Sequence, residues 1–441
     1  MWSWHLNYSI IVMTKISPLI IRLKGSQLFK DSFWALVGSA LGKGLSLLAG
    51  VAIARFLGSS LYGEYGTIKS TLLMIAIFSS LGLGYSATKF IAESRTANDI
   101  KRIIDTHRIA TTITLIMSGF IAVLLLIGAN QVAVWLDAPH LAGSLRLSSI
   151  AIIFNAINTT QTGELSGFGA YKELAKNNTY AGIFTFVSSI ILTYLYNFDG
   201  AIIALIISLI FNAVLNKITI NKCIGSKGEN TAVDRNYVKE VVKYSIPIAL
   251  QESLYSLTNW GNILILVKLA NYTEIGLSSA ANQWMAVILF IPGALRNVAL
   301  THLSASNSDK DRNKNILRRL MAINFISTFV PLLIILCLSG WITNIYGNTF
   351  AGLSPVLNVC VFTAVINSLS NVLTQAFMAH SKNWFLFFSR LVRDIGILAS
   401  LFVALLYFNH GALISAIVGL VWQMMYLCTL VVFHRKTNKT A

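Results

Sequence analysis

Residues 39–50, SALGKGLSLLAG, read as membrane-spanning helix with one discordant letter, Lys43. The surrounding apolar run, 33–56, is long enough to cross a bilayer, since about 20 residues span its hydrocarbon core. Lys43 lies ten residues into that run, about 15 Å along a helix, too deep to reach either surface easily. A lysine there costs roughly 2.5–3.5 kcal/mol on insertion scales unless it meets water or an anion. Ser39, Lys43, Ser46 and Gly50 share one helix face by their 4-3-4 spacing. The stripe predicts a wet lumen on one side of this helix.

Composition agrees with a membrane setting. Of the 441 residues, 55% are hydrophobic and 12% charged, half the charged share of an ordinary soluble domain, and the mean hydropathy is +0.67. The net charge of +17 would point to nucleic acid in a soluble chain. Here its distribution points to topology instead, so no nucleic-acid partner is expected.

Apolar periodicity predicts an all-α integral membrane protein of about twelve spans: 33–56, 67–91, 109–129, 141–161, 178–197, 200–220, 243–269, 275–300, 319–341, 352–378, 389–408 and 411–433. With the N-terminus inside, the inside segments hold 27 of the 34 Lys and Arg, and the outside loops hold none. That alternation orients the chain with both termini in the cytoplasm. Residues 1–32 lack a signal-peptide pattern and read as a cytoplasmic segment, as does the tail 434–441.

The longest polar stretch between spans is NKCIGSKGENTAVDRNYVKE, residues 221–240. A linker over 221–242 separates an N-lobe, 33–220, from a C-lobe, 243–433, with six spans each. An even number of spans per half gives parallel repeats about an axis along the membrane normal. Weak internal similarity supports duplication. Arg55 and Lys268 end spans 1 and 7 at an offset of 213, and Gly63 and Gly276 repeat that offset. Two such lobes are expected to enclose a central cavity.

The buried cations are the candidate site. Lys43, Arg146 in span 4 and Arg296 in span 8 are the candidates for a cationic lumen. Arg55, Lys69, Lys89 and Lys268 sit near span ends and read as snorkelling residues. Glu252 is the one acid well inside a span, a candidate either to pair with Lys43 or to bind a coupling ion. The surplus of positive charge calls for an anionic ligand such as phosphate or diphosphate. Polar stripes accompany it: Asn155, Asn158, Thr159 and Thr162 in span 4, Asn367, Ser370, Asn371 and Thr374 in span 10, and Gln251, Tyr255, Asn259 and Asn262 in span 7. Such groups can meet sugar hydroxyls or bond neighbouring helices. No phosphate-cradling loop, HExxH pattern or metal-ligand spacing occurs, so neither enzyme activity nor a cofactor or metal is expected.

Three segments carry a family resemblance: AIARFLGSSLYGEYGTIKS (52–70), SSLGLGYSATKFIAE (79–93) and GELSGFGAYKELAKNN (163–178). The chain resembles the polysaccharide exporters of the MOP superfamily, nearest in style to the Wzx-type O-antigen flippases. The resemblance implies a MATE-like arrangement of two six-helix lobes. It also implies transport of an undecaprenyl-diphosphate-linked glycan across the bacterial inner membrane for O-antigen or lipopolysaccharide biosynthesis. A polysaccharide polymerase and a chain-length regulator would then be partners. MurJ-like lipid II flippases are similar but usually have fourteen spans. The main alternative is a MATE-type cation-coupled multidrug antiporter, whose N-lobe typically carries a buried acid where this chain has Lys43. A major-facilitator sugar transporter would show G-x-x-x-D-R after span 2, which ESRTANDIKRIID lacks. Loops this short leave little surface for a scaffold.

Overall fold

A computed structural model describes residues 27–225, 234–293, 295, 310–379 and 382–440. The first helix, Gln27–Ser80, is broken at Gly58, where φ is 72° and ψ 173°. Unbroken, its 54 residues would measure about 80 Å, far beyond a 30 Å hydrocarbon core. The break yields α1 (27–57) and α2 (59–80). Past Leu81 and Gly82, both at positive φ, the chain resumes as α3 (Leu83–Thr96). Then follow α4 (Ile100–Trp135) and α5 (Ala142–Gly167). The helix Tyr171–Ile224 turns at Asn197 into α6 (171–196) and α7 (198–224). The second half contains α8 (Arg235–Leu269), α9 (Tyr272–Ile288), α10 (Lys310–Tyr346), α11 (Leu353–Ala379), α12 (Asn383–Leu405) and α13 (Gly411–Thr440). With α2 and α3 joined as one span, the described residues form twelve spans in two lobes of six.

The expected span order stands, but the boundaries shift. The expected loop 57–66 shrinks to Gly58, and α2 begins at once. Its polar-looking tract is helical because it is packed between the lobes, with Tyr62 and Tyr65 buried. The last described turn of the eighth span has a local cause. Pro292 has no N–H to donate to the Ile288 carbonyl, and α9 ends at Ile288.

The outer faces suit lipid. At the start of α12 and just past its end, Trp384 and Tyr407 are 75% and 78% exposed, separated by the helix's length of about 34 Å. Aromatic side chains favour the two membrane interfaces, and this separation matches a bilayer's thickness. Within a lobe, helices approach through small residues. Gly42 of α1 lies against the Asn178 carbonyl and Gly182 of α6, and Gly84 of α3 lies against Gly163 of α5.

The largest apolar cluster joins the lobes at the end of the bundle away from the linker. It combines Tyr62, Ile68 and Leu72 of α2 with Leu277 and Ala280 of α9, Tyr346 of α10 and Phe350. At its centre the two lobes touch backbone to backbone. Gly63 lies against the Tyr272 carbonyl and Gly276 against the Ser59 carbonyl. Both contacts relate residues under the same offset of 213, so a pseudo-twofold axis runs between Gly63 and Gly276. A methyl group at either glycine collides with backbone. Gly63→Ala and Gly276→Ala are each expected to destabilise the fold by about 1–3 kcal/mol, as overpacking does. A fall in the melting temperature of the purified protein checks this.

Candidate functional site

Polar contacts around the glycine crossing complete a closure between lobes. The Tyr272 hydroxyl donates to the Leu136 carbonyl at 2.6 Å. At the equivalent place in the other lobe, the Ser59 N–H donates to Thr349 Oγ1 at 3.3 Å. Each pair transforms into the other by adding 213. Arg55 and Lys268 are themselves equivalents. Arg55 Nη1 donates to the carbonyls of Asn344 and Ile345 at 3.2 and 2.7 Å, near the C-terminal end of α10, where a helix favours cations. Lys268 Nζ pairs with Asp137 at 2.6 Å. The two residues read as snorkelling ends therefore clasp the opposite lobe. Both are solvent-accessible, so each bond contributes modestly.

The closure extends inward along α1 to Gly50, which lies against the Gln283 amide of α9. Beyond that contact, Lys43 and Ser46 of α1 are exposed. Lys43 Nζ stands 5.0 Å from the ring centroid of Phe290 in the other lobe. Lys43 is fifteen residues from Gly58, about 22 Å by helical rise. Lys69 is a cation whose depth the sequence reading missed. Because α2 begins at residue 59, Lys69 lies about 16 Å from Gly58 and not at a span end. It is half-buried, between Gly66, which meets Ser279, and Thr71, which accepts from Trp260 Nε1 at 3.2 Å. Lys69 lies one turn from Gly66 and has no hydrogen bond or ion pair among the described residues. A shorter allowance for the 57–66 turn would have revealed it.

No described carboxylate neutralises either lysine. The Glu64 carboxylate accepts from His140 Nε2 at 3.0 Å, as the Glu164 carboxylate does from His107 Nδ1 at the same distance. Asp394 pairs with Arg393 at 2.7 Å, and Glu274 accepts from the Ala412 N–H. The two histidine pairs and the Arg393–Asp394 pair were not expected from spacing, since their partners lie on different helices or deeper in α12 than the sequence placed them.

The polar stripes divide by role. Asn158 is buried and donates to the Leu209 carbonyl at 2.9 Å, holding α5 on α7. Its counterpart at offset 212, Ser370, accepts from Gln423 Nε2 at 3.1 Å. These are bonds within a lobe. The side-chain amides of Asn155, Asn367 and Asn371 are partly exposed and unbonded among the described residues. Asn155 and Thr159 correspond to Asn367 and Asn371 under the same offset, so both lobes present equivalent polar pairs. Asn259 of α8 is exposed, on the helix face that carries Val241 and Ser245 toward the first lobe.

The remaining candidates lie elsewhere. Arg146 is exposed near the start of α5, where its Nη2 donates to Asn130 Oδ1 at 3.0 Å. Ile127 and Val134, one turn to either side of Asn130, are 73% and 53% exposed, so this arginine sits on an apolar outer face and is not brought to Lys43. Arg296 lies outside the described residues, as does the side chain of Glu252. At the linker end, α8 begins against the first lobe. Ser86 and Ser245 share a hydrogen bond of 2.6 Å, and Thr106 and Tyr237 one of 2.7 Å. Burial raises the Tyr237 phenol above its ordinary range, so it stays a hydroxyl at neutral pH.

A family profile described as "Polysaccharide biosynthesis protein" matches residues 52–327. An uncharacterized membrane protein of Methanocaldococcus jannaschii is 27% identical over 248 residues, covering 52% of this chain and 56% of that protein. The match thus spans little more than half of that relative's length. Among solved structures, the fold is similar to the inward-facing conformation of a multidrug resistance MATE family transporter of the MOP superfamily. The TM-score is 0.73 at 13% identity, covering 90% of this chain and 98% of that one. An outward-facing conformation of such a transporter gives 0.67 at 13% identity, over 93% and 96% of the two chains. A MOP superfamily transporter from Pyrococcus furiosus, whose binding pocket is described as of reverse polarity, gives 0.62 at 15% identity over 93% and 98%.

The clasp around the glycine crossing can be tested apart from any substrate. Lys268→Asp is expected to lower the yield of a chemical cross-link between cysteines placed at Ser59 and Thr349, and the double exchange with Asp137→Lys to restore it.

Proposed function

Since the chain belongs to the polysaccharide biosynthesis protein family, as a multi-pass membrane transporter of the MOP superfamily, we propose that its cargo is a lipid-linked oligosaccharide. The specific reading is an undecaprenyl-diphosphate-linked repeat unit, flipped from the cytoplasmic to the periplasmic face of a bacterial inner membrane. One observation carries it. Lys43 and Lys69 lie well inside their spans without a described carboxylate partner, and equivalent helices of the two lobes carry amides that are unbonded among the described residues. A diphosphate supplies the missing negative charge, and sugar hydroxyls supply partners for Asn155, Asn259, Asn367 and Asn371.

The mechanism follows from where the lobes touch. The linker end carries the basic loops, so we assign it to the cytoplasm. A cavity open to that end and shut at the glycine crossing receives a headgroup from the cytoplasmic leaflet. The greater likeness to an inward-facing than to an outward-facing transporter, 0.73 against 0.67, favours the same assignment. The polyprenyl tail stays in lipid while the lobes rock about the pseudo-twofold axis. Arg296 joins this set as a further cationic contact, whereas Arg146, bonded to Asn130 on an outer face, has a smaller part. Glu252 is the proposed coupling acid, and a Glu252→Gln variant with unchanged pH dependence of transport removes it.

A multidrug antiporter of the same fold is the rival reading. A cationic drug would meet two lysines and no free described acid, which disfavours it. The Pyrococcus furiosus protein, with its reverse-polarity pocket, is a precedent for this fold carrying other cargo.

Lys43→Ala and Lys69→Ala are each expected to reduce surface glycan about tenfold or more at constant protein level, as expected when a charge-assisted contact of roughly 1.5–3 kcal/mol is lost. Lys43→Arg retains a large part of the output. Unchanged glycan with both alanine variants, alongside altered drug resistance, would transfer the assignment to the antiporter.

A further inference from the structure

We infer that Phe290 is a placeholder for the anion at Lys43, occupying the ammonium group when the cavity is empty and weakening diphosphate binding by competing for it. The inference rests on the reading of Lys43 as an anion-binding group. Lys43 Nζ lies 5.0 Å from the Phe290 centroid, within the range where a ring face attracts a cation. No hydrogen bond or carboxylate accompanies the contact among the described residues. A mid-membrane lysine without an anion is costly, and the ring is the group that this structure places beside it.

The contact has no scaffold counterpart. The interface repeats under an offset of 213 at Ser59 and Tyr272, Gly63 and Gly276, Leu136 and Thr349, and Arg55 and Lys268. Lys43 maps by that offset to Ser256, and Phe290 maps back to Ile77. A serine and an isoleucine cannot form the pair. The cation and the ring therefore break a symmetry that the closure keeps, and packing of the lobes does not require them.

Exchange is physically easy. Lys43 is exposed and Phe290 only partly buried, so the ammonium group can leave the ring without opening a core. A diphosphate offers charge-assisted hydrogen bonds that outcompete a quadrupole. Phe290 also follows the end of α9 at Ile288, in a segment whose backbone bonding Pro292 interrupts. Because the two partners belong to different lobes, capture of the anion also removes one tie between them. The ring thus sets a threshold: weak anions leave Lys43 on Phe290, whereas a diphosphate displaces it.

The test uses the purified full chain in nanodiscs and measures binding of farnesyl diphosphate, with inorganic pyrophosphate as the lipid-free arm. Phe290→Leu, which removes the ring face, is expected to tighten diphosphate binding by roughly two- to thirtyfold, the range that a released cation–π contact corresponds to. Phe290→Trp, a better cation–π partner, is expected to weaken it. Both effects vanish in a Lys43→Ala background. If Phe290→Leu leaves binding unchanged or weakens it while Lys43→Ala still abolishes it, the placeholder is wrong and the anion site stands. If Lys43→Ala leaves diphosphate binding intact, the functional reading itself fails. The opposite signs expected for leucine and tryptophan separate competition from a general loss of folding.

Discussion

The close approach of α2 and α9 at Gly63 and Gly276 is the constraint on which the rest of the structure depends. Two helices whose backbones touch can do so only where side chains are absent, and each glycine lies against a carbonyl of the other lobe. The axis between them relates several other contacts at that end in pairs. Tyr272 and Ser59 reach across at equivalent places, as do Lys268 and Arg55. The members of a pair are chemically different, a phenol against a backbone N–H, a salt bridge against a helix terminus. Sequence has diverged while the geometry of closure has been kept, as expected of repeats that still have to meet each other.

A contact held at one end has consequences at the other. The seam extends from Gly63 to the meeting of Gly50 with Gln283, and past it the side chains of α1 and α5 become exposed and polar. Ser46 and Lys43 lie on α1, with Asn155, Thr159 and Thr162 on α5. Nearer the closure, the exposed residues of α5 include the apolar Leu147 and Ile150 beside Arg146. Individual closure bonds are exposed and weak, so the two lobes are held at this end mainly by packing of the shared core.

Much of this was legible in sequence, and the failures have a common cause. Span count was legible because a bilayer imposes hydropathy on each segment separately. The duplication showed in Arg55, Lys268, Gly63 and Gly276, whose spacing survives without any knowledge of contacts. What sequence did not reveal is what faces what. Arg55 and Lys268 looked like residues reaching for the membrane surface, because their partners lie 289 and 131 positions away in the chain. Lys69 looked shallow because a ten-residue loop was allowed where one glycine makes the turn. Arg146 was grouped with Lys43 as a cation within a span, yet its guanidinium has a local partner in Asn130. Within a polar stripe, spacing alone could not separate Asn158, which bonds its own lobe, from Asn155, which stays free.

The division between symmetric and asymmetric features explains how one fold can carry unlike cargo. Closure at the crossing demands small residues and paired contacts, so it constrains both lobes alike. The cavity demands nothing comparable, because its side chains face water and one another across a gap. Lys43 has a serine as its equivalent and Lys69 has Asn282, so neither cation has a charged counterpart in the second lobe. Charge could thus be added to or removed from the lumen without disturbing the contacts that hold the lobes together. The fold is kept at 13% identity to a multidrug transporter, over nine-tenths of this chain, while the cations at Lys43 and Lys69 lie outside the symmetric contacts between the lobes.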